Sequence, residues 1–131
     1  MRAGIPPEGS ASTLGFPYND LAAVEELFAR HPGQIAALIL EPVKNDAPLP
    51  GYLEGLRAVT EREGCVLIFD EMISGIRFDL RGAHHRWGVL PDLATYGKAI
   101  GNGYSISVLA GRRDLMELGG IRHDRERVFL L

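Results

Sequence analysis

Two unbroken apolar runs of strand length, Ile35-Ala36-Ala37-Leu38-Ile39-Leu40 and Cys65-Val66-Leu67-Ile68-Phe69, constrain the fold of this chain more than any other feature. A strand with one wet face alternates apolar and polar residues, whereas a run without alternation suits a strand covered on both faces, as in parallel sheets. Between the runs, Leu53, Leu56, Val59 and Thr60 recur at helical spacing, and Gly64 follows in the position of a left-handed cap. Strand, helix and strand in that order form a βαβ unit, for which a right-handed crossover is expected. The chain therefore reads as α/β. With 131 residues, 46% apolar and 24% charged, it has the composition of one globular domain.

The remaining segments fall around that unit. Residues 1–18, rich in Gly and Pro and without periodicity, are expected to be extended, and residues 19–131 to form the α/β core portion. Asn19 is the expected cap of a helix carrying Leu21, Val24, Leu27 and Phe28 on one face, ended by His31-Pro32-Gly33. Glu41–Gly51 reads as a loop, and so does the polar and aromatic stretch Gly75–Val89. Leu93–Tyr96 and Ser105–Ala110 are expected strands, Gly97-Lys98 a turn, and Asp114–Leu118 a short helix. The alternating charges of Arg122–Arg127 precede the apolar Val128–Leu131.

Charge and cysteine content narrow the function classes. Fourteen basic and 17 acidic residues give a net charge of −3, a poor match to a nucleic-acid-binding face. No apolar run approaches the roughly 18 residues of a membrane span, and the N-terminus lacks the apolar core of a secretion signal. A single cysteine, Cys65, forms no internal disulfide, which points to a reducing, cytoplasmic setting. Glycine is in excess, 16 of 131, so some segment needs unusual turns or close backbone approach.

In open α/β sheets, ligands bind outside the carboxyl ends of the strands. Asp70 directly follows one strand and Lys98 stands just past another, so adjacent parallel strands can bring them to one crevice. Two readings stay open for Asp70: a functional carboxylate, or one satisfied by a structural ion pair or backbone donors. Lys98 is either a surface lysine in a glycine turn or, partly desolvated after a buried strand, an amine suited to Schiff-base formation. The segment Gly97-Lys98-Ala99-Ile100-Gly101-Asn102-Gly103 is neither a phosphate loop nor a dinucleotide fingerprint, because it lacks the required Ser or Thr and the third glycine. Glu41 ends the first strand at the same sheet edge and either faces the site or is a plain loop glutamate. His84-His85 with Asp79 reads as a polar loop rather than a metal site, since adjacent histidines share no face. Cys65 reads as inert core, and Arg112-Arg113 as a solvated strand end.

Three stretches, Phe69-Asp70-Glu71-Met72-Ile73-Ser74-Gly75-Ile76-Arg77, Gly88-Val89-Leu90-Pro91-Asp92-Leu93 and Gly97–Gly103, resemble the class III aminotransferases. Phe16–Leu21, Leu40-Glu41-Pro42-Val43 and Ala110–Asp114 are similar to the aminomutase branch of that family, which acts on glutamate-1-semialdehyde. The resemblance implies part of the large domain of the fold-type I transferases, a mostly parallel sheet with flanking helices in which Ser105–Ala110 is antiparallel. It implies pyridoxal 5'-phosphate as cofactor, a small amino or keto acid as substrate, and a homodimer. Lys98 would hold the cofactor as a Schiff base and then shuttle a proton; Asp70 would pair with the pyridine nitrogen. Met72 would pack on a face of the ring, though a buried Met is as often plain core. Many family aminotransferases carry Gln where Ile73 stands, so the aliphatic residue leans toward the aminomutase branch; many also carry a Gln-Gly-Glu run where Lys44-Asn45-Asp46-Ala47-Pro48 stands, so an aminomutase-like transaminase with another substrate remains open. The family's phosphate loop and ring-stacking aromatic lie upstream of these residues, so the chain is expected to be a fragment, inactive alone or serving only as a binding module.

Overall fold

The computed structural model describes residues 5–119. Its elements are α1 (Pro7–Ala11), α2 (Leu21–Arg30), β1 (Ala37–Leu40), α3 (Tyr52–Arg62), β2 (Val66–Asp70), α4 (His84–Trp87), β3 (Leu93–Tyr96), β4 (Val108–Gly111) and α5 (Arg113–Met116). Arg122–Leu131 lie outside the described residues.

The strands form one sheet in the order β1-β2-β3-β4. β1, β2 and β3 are parallel, with Leu40 opposite Phe69 and Asp70 opposite Thr95. β4 runs antiparallel to β3, Tyr96 facing Val108. β4 starts at Val108 rather than Ser105 because β3, its strand partner among the described residues, is itself four residues long.

One face of the sheet carries the core. Val24 and Phe28 of α2 and Leu53, Leu56 and Val59 of α3 pack with Leu38, Leu40, Leu67 and Phe69. Each fully buried side chain of that size contributes about 1.5–3 kcal/mol. Gly55 lies inside α3, where it costs roughly 1 kcal/mol against Ala. Its absent Cβ is what lets Leu21 of α2 seat against α3. The expectation that the strands are covered on both faces is not met among the described residues. Along β1, Leu38 and Leu40 are buried while Ala37 and Ile39 are exposed, Ile39 at 57%. The physical reason is that α2 and α3 both lie on the Leu38 side.

Three local expectations are corrected. Asp20, not Asn19, caps α2, its side chain accepting from the Ala23 amide at 2.9 Å. Asn19 instead adopts φ 64° and pins the Glu41–Gly51 loop, accepting from Leu49 N at 2.9 Å and donating to Ala47 O at 3.1 Å. The stretch 1–18 is not wholly extended, since α1 forms directly after Pro6, with Pro7 at a helix start where no amide hydrogen is needed. Likewise a single helical turn, α4, interrupts the expected loop Gly75–Val89.

Candidate active site

The register of the sheet decides which side chains share its carboxyl edge. Asp70 ends β2 and Lys98 follows β3 after Gly97, so both stand on neighbouring parallel strand ends. The Asp70 carboxylate is half-buried and takes two donors on one oxygen: Met72 N at 3.0 Å and the Thr95 hydroxyl at 3.3 Å, both to Oδ1. Among the described residues nothing donates to Oδ2 and no cation pairs with Asp70, so the ion-pair reading of this carboxylate does not hold.

Lys98 opens a 3₁₀ turn, Lys98–Ile100, closed by Gly101 N donating to Lys98 O at 3.1 Å. Its φ is 49°, the left-handed region, which costs a non-glycine residue roughly 1–2 kcal/mol. The side chain is exposed, so the expected partial desolvation of this amine is absent: no described residue closes over the outer side of the turn. Among the described residues its amine has no ion-pair or hydrogen-bond partner. Met72 reaches the same turn, because a Cβ at Gly97 would collide with its Sδ and Cε. Gly97 thus seats the Met72 thioether on the backbone that leads into Lys98.

Glu41 is half-buried and shares with Asp70 a cleft of about 400 Å³ that Thr13, Tyr18, Ile39 and Lys44 also line. Lys98 stands beyond that lining. Tyr18 donates to Pro42 O at 2.8 Å, and burial, followed by the neighbouring Tyr52 and then the charges of Asp46 and Glu41, pushes its hydroxyl up to about 12. It therefore remains a hydrogen-bond donor at neutral pH. A larger recess of about 610 Å³ lies at the opposite, amino end of the strands. Its Asp92 carboxylate is already matched: it accepts from Leu67 N at 2.8 Å and pairs with Arg57 and Arg112, each at 3.0 Å. Arg112 is thereby a structural partner of Asp92 and Asp114 rather than a free anion site.

Glu71 carries no signal in the sequence beyond its place beside Asp70. It is 1% exposed. Oε1 accepts from the backbone N and ring Nδ1 of His84, at 2.9 and 2.8 Å; Oε2 accepts from Ser74 Oγ at 2.7 Å and Ala83 N at 2.9 Å. An ionised carboxylate only accepts, so the proton of this pair sits on Nδ1. Burial pushes the Glu71 carboxyl up, but these four donations outweigh it and hold the group below the ordinary carboxylate range. The result is a tie between the end of β2 and α4. His85 turns instead to Asp79 at 3.2 Å, and no metal-binding cluster occurs among the described residues. Cys65 is buried, and burial together with Asp92 pushes its thiol up, as an inert core residue requires.

An open carboxylate oxygen, an unpaired primary amine and a soft thioether at one edge suit a planar, cationic heteroaromatic ring that bears a carbonyl. Such an oxygen could accept a ring N–H, the amine could condense with the carbonyl with loss of water, and the thioether could pack on an aromatic face.

Residues 10–121 match the family described as Aminotransferase class-III. An omega-transaminase from Sphaerobacter thermophilus is 34% identical, with a TM-score of 0.82 over 88% of this chain and 27% of its own. A transaminase with PLP bound is 32% identical, with a TM-score of 0.82 over 88% of this chain and 28% of its own. A glutamate-1-semialdehyde-aminomutase from Pseudomonas aeruginosa PAO1 is 32% identical, with a TM-score of 0.74 over 88% of this chain and 26% of its own. The chain thus spans about a quarter of the length of each of these structures. No helix among the described residues is long and apolar enough to cross a membrane.

Proposed function

Because this chain belongs to the class III aminotransferase family, a family that uses pyridoxal 5'-phosphate, we propose that it contributes the cofactor-holding amine and carboxylate of an amino-group transfer. The observation that carries this reading is the placement of Asp70 and Lys98 on adjoining parallel strand ends, with Oδ2 of the carboxylate open. When bound, the cofactor supplies an electron-withdrawing ring that stabilises negative charge at the substrate's α-carbon. Lys98 supplies the amine that holds the cofactor covalently and, once released, a base that moves a proton at that carbon. Asp70 would accept the ring N–H and so favour a protonated pyridine nitrogen, and Met72 would supply a thioether to a face of the ring.

Within the family we read the chain as aminomutase-like, acting on glutamate-1-semialdehyde. The support is Ile73, which is 48% exposed and whose aliphatic side chain cannot bond a ring hydroxyl. The segment Lys44–Pro48, folded into a turn by Lys44 N donating to Asp46 O, favours a second reading: a transaminase passing its amine between two different small acids. Exposed Ile76, Phe78 and Leu80 on one loop support a homodimer as the working form.

The test is borohydride reduction of the holoprotein followed by peptide mapping. The expected result is cofactor fixed to Lys98, and none fixed in Lys98→Ala, which also loses nearly all turnover. An adduct retained at another lysine would overturn the assignment. Release of 5-aminolevulinate from glutamate-1-semialdehyde without added amine donor separates the mutase from the transaminase reading.

A further inference from the structure

We propose that Thr95 is a positioning residue for Asp70, selecting Oδ2 as the oxygen offered to the ring nitrogen of the cofactor; this rests on the reading of Asp70 as that nitrogen's partner. Thr95 stands directly opposite Asp70 in the parallel register of β2 and β3. Its backbone is fixed there, since its carbonyl accepts from Glu71 N at 2.9 Å. Its side chain is β-branched and therefore stiff at χ1. The hydroxyl donates to Oδ1 at 3.3 Å, on the same oxygen that takes Met72 N at 3.0 Å.

Two donors from two different elements converge on one oxygen. With the Met72 amide alone, either carboxylate oxygen could take that single donor after a half-turn about Cβ–Cγ. The Thr95 hydroxyl, arriving from the neighbouring strand, adds a second donor at the same position and weights the carboxylate toward keeping its better-held oxygen there. Oδ2 is then left as the oxygen without a donor among the described residues. Both residues are half-buried, which keeps the pair partly shielded from water while open to a ligand at that edge. Hydrogen bonds to a charged group are stronger than neutral ones, so the arrangement holds best while Asp70 is ionised. Thr95 touches neither cofactor nor substrate in this scheme; it acts through Asp70.

The experiment compares wild-type holoprotein with Thr95→Val, Thr95→Ser and Asp70→Asn, each loaded with pyridoxal phosphate labelled with ¹⁵N at the ring. Valine keeps the β-branched shape and strand preference and removes only the hydroxyl; serine restores it. The ¹⁵N shift reports protonation of the ring nitrogen across pH, independently of turnover, and circular dichroism checks that each variant is folded. The expected result is that Thr95→Val lowers the pH at which the nitrogen deprotonates by about half a unit to one unit, a three- to tenfold loss of hold on that proton, and lowers kcat in proportion. Thr95→Ser returns both towards wild type, and Asp70→Asn gives a larger loss. If Thr95→Val does not fold, a Thr95→Ser titration displaced from wild type by more than half a unit overturns the proposal, and one superimposed on it supports the hydroxyl as the working group. A normal titration in Thr95→Val beside a displaced one in Asp70→Asn overturns the role of Thr95 alone. A normal titration in Asp70→Asn overturns the functional reading and this inference with it.

Discussion

Asp70 and Lys98 differ in how much of their setting lies nearby in the chain. The Asp70 carboxylate has one near neighbour, the Met72 amide, and one distant partner, Thr95. Replacing it by asparagine keeps the size and loses the charge. A charge-assisted hydrogen bond is worth roughly 1.5–3 kcal/mol, and each 1.36 kcal/mol is about a decade of rate. Asp70→Asn in the holoprotein is therefore expected to lower kcat by about one to two decades while circular dichroism stays unchanged. Wild-type turnover in this variant would reduce the carboxylate to a structural role. Ile76 poses a different residue-scale question, because it is β-branched and holds φ 58°. That conformation is strained for such a side chain and free for glycine. Ile76→Gly is expected to raise the denaturant midpoint by the equivalent of about 1 kcal/mol at unchanged m. A lower midpoint would contradict this.

The 71–88 segment depends on Glu71 more than on apolar packing, since Ile76, Phe78 and Leu80 are all exposed. Glu71→Gln presents an amide NH₂ to groups that themselves donate. At least one buried donor is then left unsatisfied, at roughly 1–3 kcal/mol each. Limited proteolysis within 71–88 is expected to accelerate about ten- to a hundredfold, and an unchanged rate would show that the loop is held by something else. The same carboxylate sets an acid limit. Folding lowers its pKa below the ordinary 4.5, so the unfolded chain binds this proton more readily than the folded one. Its stabilisation is complete above about pH 4.5 and drains away as pH falls through the lower folded value. Urea midpoints measured from pH 6 down to pH 3 are expected to fall steeply for wild type and less steeply for Glu71→Gln. Parallel slopes would remove Glu71 as the cause.

At the scale of the whole molecule, the helices that build the core pack on one face of the sheet among the described residues. Ile39 stands 57% exposed on the open face, and β1 and β4 are the outer strands among the described residues. Strand edges and contiguous apolar surface recruit further chains. The 131 residues expressed by themselves are expected to associate at micromolar concentration and to transaminate poorly, because no loop of donors for a phosphate carrying close to two negative charges stands beside Asp70 and Lys98 among the described residues. Sedimentation velocity checks the first point, and amine transfer with added pyridoxal phosphate the second. Ile39→Lys, which charges the open face without touching the core, is expected to shift the distribution towards monomer. A monomeric wild-type chain with full transfer activity would overturn both expectations.

Local chemistry alone determined the α/β class, the parallel pairing of the two apolar runs and the helix between them, because those features are written as periodicity and run length within about ten residues. Motif resemblance added the antiparallel β4 and singled out Asp70, Met72 and Lys98. What only the tertiary structure decided depends on partners far apart in the chain. Asp20 took the cap because the Asn19 side chain was drawn to the loop at Ala47 and Leu49. Glu71 became a buried tie because α4 brings Ala83 and His84 back to the end of β2. Thr95 met Asp70 because the β2–β3 register set them opposite one another, and register is a property of two paired strands that neither strand carries alone.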